Sequence, residues 1–147
     1  MAKKTVFIGS DHAGFELKEK IEKWLKKKEI VVKDVGTFNN ESVDYPDIAA
    51  KLARNVAKTK KEGILICGTG IGVSIAANKV KGVRAALAHD ALTAKMAKQH
   101  NNANVLCLGG RIHNAKAAEK IVNAWLSAEF EGGRHERRVK KIHGIEK

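Results

Sequence analysis

The sequence predicts one doubly wound α/β domain, built on a five-stranded parallel sheet with helices on both faces. Three observations predict it. Five short apolar runs recur along the 147 residues, each followed by a glycine-rich or polar turn. Between them, apolar positions recur at helical spacing. The runs also lack the polar alternation of a half-exposed antiparallel sheet, as strands buried on both faces should. Strands alternating with helices imply right-handed βαβ units.

The elements follow in order. Thr5–Ile8 is a strand ended by Gly9-Ser10-Asp11-His12-Ala13-Gly14. From Phe15 a helix carries Leu17, Ile21, Trp24 and Leu25 on one face. Ile30–Val32 is a second strand, followed by a loop from Gly36 to Ser42. Pro46 opens a helix with Ile48, Leu52 and Val56 on one face. Gly63–Cys67 is a third strand, stopped by Gly68-Thr69-Gly70-Ile71-Gly72 and followed by a helical run over Val73–Asn78. Val83–Ala88 is a fourth strand and Ala91–Lys98 a helix. Val105–Leu108 is a fifth strand, followed by Gly109-Gly110-Arg111, and Ala115–Leu126 form a long amphipathic helix. A basic tail from Gly132 to Lys147 offers Val139 and Ile142 for docking. No internal repeat or linker interrupts this order.

Composition limits the function. With 44% hydrophobic and 30% charged residues, a disordered chain is excluded. No apolar run reaches the roughly 18 residues of a membrane span, and the start resembles no signal peptide, so a cytoplasmic protein without a membrane partner is expected. Cys67 and Cys107 form no CxxC and are expected as free thiols. Lys+Arg 28 against Asp+Glu 16 gives a net charge of +12. Lysines at helix-face spacing, such as Lys18, Lys20 and Lys23, read as a solvated face. Aromatics for stacking on bases are nearly missing, which disfavours a nucleic-acid partner. A basic surface also attracts small anionic substrates.

In open parallel sheets, ligands bind beyond the carboxyl ends of the strands. Asp11 and His12, Cys67 to Gly72, and Arg111 all fall there. Gly68-Thr69-Gly70-Ile71-Gly72 is spaced GxGxG, which fits neither the dinucleotide nor the phosphate-loop fingerprint. It reads as an anion or oxyanion cradle, or as a plain tight turn. Cys67 is either a small core residue or, at a helix N-terminus, a thiol favoured as thiolate. Cys107 is assigned to the core. His100 and Asn101 fall in the loop before the fifth strand, at the opposite edge of their own sheet. Arg134 and Arg138 would share one face of a helix, as a solvated tail or a phosphate clamp. His89, His113 and His143 lack convergent partners in the sequence, and no residue set has metal-ligand spacing, so no metal is expected.

Six strings carry a resemblance: Ser10-Asp11-His12-Ala13-Gly14, Asp44-Tyr45-Pro46-Asp47, Gly63 through Gly70, Ser74-Ile75-Ala76-Ala77-Asn78, Gln99-His100-Asn101 and Glu131-Gly132-Gly133-Arg134-His135. Together and in order they resemble type B ribose-5-phosphate isomerase, a family related to the galactose-6-phosphate isomerase subunits. The resemblance implies a Rossmann-like fold and a cofactor-free aldose–ketose isomerisation in the non-oxidative pentose phosphate pathway. Ribose 5-phosphate and ribulose 5-phosphate would interconvert through a cis-enediolate.

By motif, Cys67 matches the family's base. Some branches use a glutamate in this loop, but here Val73 and Ser74 follow the glycines. Gly68, Thr69, Gly70, Ile71 and Gly72 match the loop whose amides stabilise the enediolate, with Thr69 its polar helper. His100 matches the acid that opens the sugar ring, beside Asn101. Asp11 and His12 match sugar contacts, Tyr45 lines the same cleft, and Arg111, Arg134 and Arg138 match phosphate-binding arginines. The segment from about 132 would thus help form the phosphate site. The resemblance also implies a homodimer with its active site at the subunit interface, and leaves assembly to a tetramer open.

Other readings remain. The substrate could be a 6-phosphate hexose such as galactose or allose. The chain could instead be a basic nucleic-acid or nucleotide-binding module, which would give Cys67 and His100 no role. An inactive regulatory homologue is disfavoured by the intact catalytic positions.

Overall fold

The computed structural model describes residues 3–146. The chain runs β1 (Thr5–Ser10), a 3-10 turn at His12–Gly14, α1 (Phe15–Lys27), β2 (Val31–Asp34), α2 (Tyr45–Thr59), β3 (Glu62–Cys67) and α3 (Ile71–Ala77). It continues through β4 (Ala85–Leu87), α4 (Ala91–Asn101), β5 (Val105–Gly109), α5 (Ala115–Ser127) and α6 (Arg134–His143). The strands pair in parallel throughout, in the order β2-β1-β3-β5-β4. The expected five-stranded α/β sheet is present. Among the described residues no helix is long and apolar enough to cross a membrane.

Because successive strand side chains point to opposite faces, each central strand feeds two cores. Ile64 and Ile66 of β3 join Leu106, Leu108, Ile21, Leu25, Ile121 and Trp125 under α1, α4 and α5. Leu65 and Cys67 join Phe7, Cys107, Leu52, Val56, Val73 and Ala77 under α2 and α3. Each fully buried side chain of this size stabilises the fold by about 1.5–3 kcal/mol, so the sheet is the rigid part of the molecule. Trp125, wholly buried, donates its indole N–H to the Ala103 carbonyl at 3.1 Å.

Several boundaries differ from the sequence expectation. β4 is shorter than the expected Val83–Ala88. α4 runs on through Asn101, so His100 and Asn101 lie in its last turn and not in a loop. The helix stops at Asn102, which adopts left-handed φ 49° and donates its N–H to the Lys98 carbonyl at 3.1 Å, while the Ala103 N–H reaches the Ala97 carbonyl at 3.0 Å. Ile71 and Gly72 open α3, and Tyr45 opens α2.

The basic tail forms a helix, α6, docked through Val139 and through a clasp at its end. Arg84 can only donate, so the His143 Nε2 at 2.8 Å accepts, and the Nδ1 proton goes to Glu146 Oε1 at 2.7 Å. His143 therefore has partners that its sequence neighbours did not show. Lys18 is no part of a solvated face: it is wholly buried, ion-paired with Asp34 and set 5.4 and 5.3 Å from the Phe15 and Phe38 ring centroids.

Candidate active site

At the carboxyl edge of the sheet, β3 delivers Cys67 into a tight loop. The Cys67 Sγ accepts the Gly70 N–H at 3.1 Å. The turn is tied down from β5, where the Gly110 N–H reaches the Cys67 carbonyl at 2.7 Å and the Arg111 N–H the Gly68 carbonyl at 3.0 Å. Gly70 has φ +83°, and a Cβ there would lie 2.6 Å from Leu87 Cδ1 and 2.9 Å from the Leu108 backbone. Only glycine meets both demands. Thr69 Oγ1 accepts the Ile71 N–H at 3.3 Å, so Thr69 braces the start of α3. Cys67 is 5% exposed and Cys107 wholly buried. Burial pushes the Cys107 thiol up, which suits its place in the core.

The other residues of this edge gather on the same loop. The Asp11 N–H donates to the Ile66 carbonyl at 3.2 Å, and Asp11 Oδ1 accepts the Gly14 N–H at 3.0 Å. His12 Nδ1 accepts the Val43 N–H at 3.2 Å, so Nε2 is the nitrogen left to donate. The Tyr45 ring lies on the α3 backbone at Gly72, where a Cβ would sit 2.6 Å from Cε1. The Arg111 side chain lies over Gly68, with Nη1 3.2 Å from that residue's would-be Cβ. Asp11, His12, Tyr45, Cys67 to Gly72 and Arg111 thus form one cluster.

His100, Asn101, Arg134 and Arg138 form another. The chain just after α4 is anchored where β3 begins, with the Gly63 N–H on the Asn104 carbonyl at 2.9 Å. Gly63 lies four residues, or about 13 Å of strand, before Cys67. The sheet therefore separates His100 from Cys67 within one chain, as its sequence position implied.

Two members of this second cluster were missed from the sequence. The His135 ring stacks on His100 with 4.3 Å between centroids and 9° between planes. Glu131 Oε1 lies 3.7 Å from His100 Nε2 and 3.6 Å from His135 Nε2. The sequence offered only the short spacing of Glu131 and His135 as a signal, and Gly132 and Gly133, both at positive φ, separate Glu131 from α6. Donor atoms of His100, Glu131 and His135 lie within 4.8 Å of one another. Parallel stacked rings, however, cannot aim both lone pairs at one ion about 2.1 Å from each nitrogen, so the cluster does not fit a metal as arranged.

Comparison with known proteins bears on the family and the fold. A family model described as Ribose/Galactose Isomerase matches residues 6–142. Ribose-5-phosphate isomerase B of Escherichia coli (strain K12) is 46% identical over 144 residues, spanning 97% of each chain. A solved ribose-5-phosphate isomerase B of Clostridium thermocellum superposes with a TM-score of 0.94 at 51% identity, covering 96% of both chains. The Mycoplasma genitalium ribose-5-phosphate isomerase B, solved with bound ribulose-5-phosphate, gives 0.93 at 49% identity over 98% of this chain and 97% of that one. With a family model covering nearly its whole length and relatives near half identity, this chain belongs to the Ribose/Galactose Isomerase family.

Proposed function

We propose that the protein interconverts ribose 5-phosphate and ribulose 5-phosphate through a cis-enediolate, as a cytoplasmic homodimer of the non-oxidative pentose phosphate pathway. The observation that carries this reading is the split of the candidate site. The Cys67 loop and the His100 cluster occupy opposite edges of one sheet, so a complete site needs the loop of one copy and the α4 end of another. Apolar side chains flank both halves: Ile71 is 51% and Ile75 58% exposed beside the Cys67 loop. Ile142, 44% exposed, lines a concavity with Asn101 on the other side. A second copy that buried them would join the halves.

In this reading Cys67 moves the proton between C2 and C1. Aldose–ketose exchange needs a base beside the carbonyl and donors aimed at the oxygen where charge develops. The loop from Gly68 to Gly72 supplies those donors through the amides that the Cys67 Sγ and Thr69 Oγ1 do not already engage, together with the hydroxyl of Thr69. The partner's His100, beside Asn101, opens the cyclic sugar. Asp11, His12 and Tyr45 hold the sugar hydroxyls. Arg111 from one copy, with Arg134 and Arg138 of α6 from the other, grip the phosphate, whose binding energy orients the reacting carbons. The segment from about residue 132 thereby acts as a phosphate clamp.

Mixing two inactive variants tests the shared site. Cys67→Ala and His100→Ala, unfolded together and refolded as an equimolar mixture, give half mixed dimers. Each mixed dimer carries one wholly native site. About one quarter of wild-type turnover of ribose 5-phosphate should return. A mixture no more active than its components would place both residues in the same copy's site and overturn the reading.

A further inference from the structure

The amino edge of the sheet carries a feature that the isomerase site leaves unused. An open basin of about 780 Å³ lies at the starts of β1, β3 and β4, beside the chain that follows α4. Lys3, Lys4, Lys60, Lys61, Lys81 and Arg84 line it, against only Glu62 and Glu146. Both carboxylates are already engaged. Glu62 pairs with Lys4 at 2.7 Å and with Lys98. Glu146 accepts the Gly82 N–H at 2.6 Å and pairs with His143 at 2.7 Å. Among the described residues, Lys3, Lys60, Lys61 and Lys81 make no ion pair.

Arg84 adds a fixed, half-buried cation to the wall. Its Nε donates to the Asn102 carbonyl at 2.8 Å, and its Nη1 reaches His143. Two Nη2 protons remain unassigned, and a planar guanidinium suits the oxygens of a phosphate. Burial pushes this guanidinium below its ordinary value, with Glu146 the one opposing charge.

We propose that this basin is a binding site for a small linear polyphosphate, free or as the tail of a nucleotide. Its volume falls within the roughly 300–1,000 Å³ of small-molecule pockets. No aromatic side chain lines it, so it offers bases no stacking platform and disfavours single-stranded nucleic acid. Several cations lining one basin favour a ligand with several linked charges over a monophosphate. The site lies across the sheet from Cys67 and is lined by neither Arg134 nor Arg138, although its Arg84 and Ala103 also line the concavity with Asn101.

Calorimetric titration of the intact protein with inorganic tripolyphosphate and with orthophosphate, at about 0.15 M salt, tests this. The wild type should bind tripolyphosphate at least about tenfold tighter than orthophosphate. The exposed triple variant Lys60→Gln/Lys61→Gln/Lys81→Gln should lose about tenfold in that affinity and keep its isomerase activity. Arg134→Ala/Arg138→Ala should keep this tight tripolyphosphate binding while weakening the binding of orthophosphate at the substrate's phosphate clamp. ATP binding as tightly as tripolyphosphate assigns the site to the phosphate chain alone, and tighter binding adds the nucleoside. Three results overturn the proposal: no saturable binding, binding lost in the arginine variant but kept in the lysine variant, or displacement of tripolyphosphate by lower concentrations of an oligonucleotide.

Discussion

The imidazoles of His100 and His135 lie face to face, 4.3 Å apart and 9° from parallel. The stack joins the last turn of α4 to the first turn of α6, so His100 and the arginines of α6 hold a common position. Burial, then the charges of His100 and Arg134, hold the His135 imidazole below its ordinary 6.5. The unfolded chain therefore takes up this proton more readily than the folded one. Stability is complete at neutral pH and falls as pH drops from 6.5 through the folded value. His135→Phe keeps a ring against His100 but removes the proton. Melts between about pH 7.5 and 5 should show a shallower fall of Tm in the variant. Parallel falls would show that the proton binds elsewhere.

The two cysteines should separate chemistry from packing. Cys67→Ala should stay folded and lose at least about a hundredfold in kcat for ribose 5-phosphate. Cys107→Ala sits in the fully buried core. It should cost about 1 kcal/mol of stability and leave kcat unchanged. Equal kcat in both variants would demote Cys67 to a core residue.

Arg134→Ala and Arg138→Ala should each raise KM for ribose 5-phosphate by about tenfold or more, with a smaller change in kcat. Inorganic phosphate should compete with substrate in the wild type and more weakly in the variants. A collapse of kcat at constant KM would move the arginines from holding phosphate to the reacting carbons.

Gly14→Ala tests how the 3-10 turn is seated against β3. A Cβ at Gly14 would lie 2.4 Å from the Ile66 carbonyl oxygen and 2.7 Å from its carbon. Backbone in the middle of a sheet cannot retreat, so the cost is at least about 2 kcal/mol. The urea midpoint of the variant reports it directly. Because the turn carries Asp11 and His12, the variant should also raise KM.

The strands were legible because each is a contiguous apolar run closed by a turn residue. β3 ends at Cys67 as expected, where the chain turns back and the Gly70 N–H, at positive φ, reaches the Cys67 Sγ. The edge of the sheet on which each residue falls was legible for the same reason: in parallel βαβ units, position in the strand–helix alternation sets the edge. His100 was correctly placed opposite Cys67, although it belongs to the last turn of α4. That boundary depended on Asn102 adopting a left-handed conformation, which its neighbours alone do not dictate. Lys18 was misread because its helical spacing matched the exposed lysines, while its partner Asp34 lies sixteen residues away on β2.

The sequence by itself determined the alternation of strands and helices, the glycine loop around Cys67, the core position of Cys107 and the family strings. All of these arise from residues within a few positions of one another. Only the tertiary structure decided the strand order, which puts β5 between β3 and β4. It also decided the stacking of His100 on His135 and the clasp of His143 on Arg84, 59 residues away. The same holds for the basin, whose lysines come from three separate segments of the chain. Those contacts form only when distant segments are brought to one edge of the sheet, and no local pattern encodes which segments will meet.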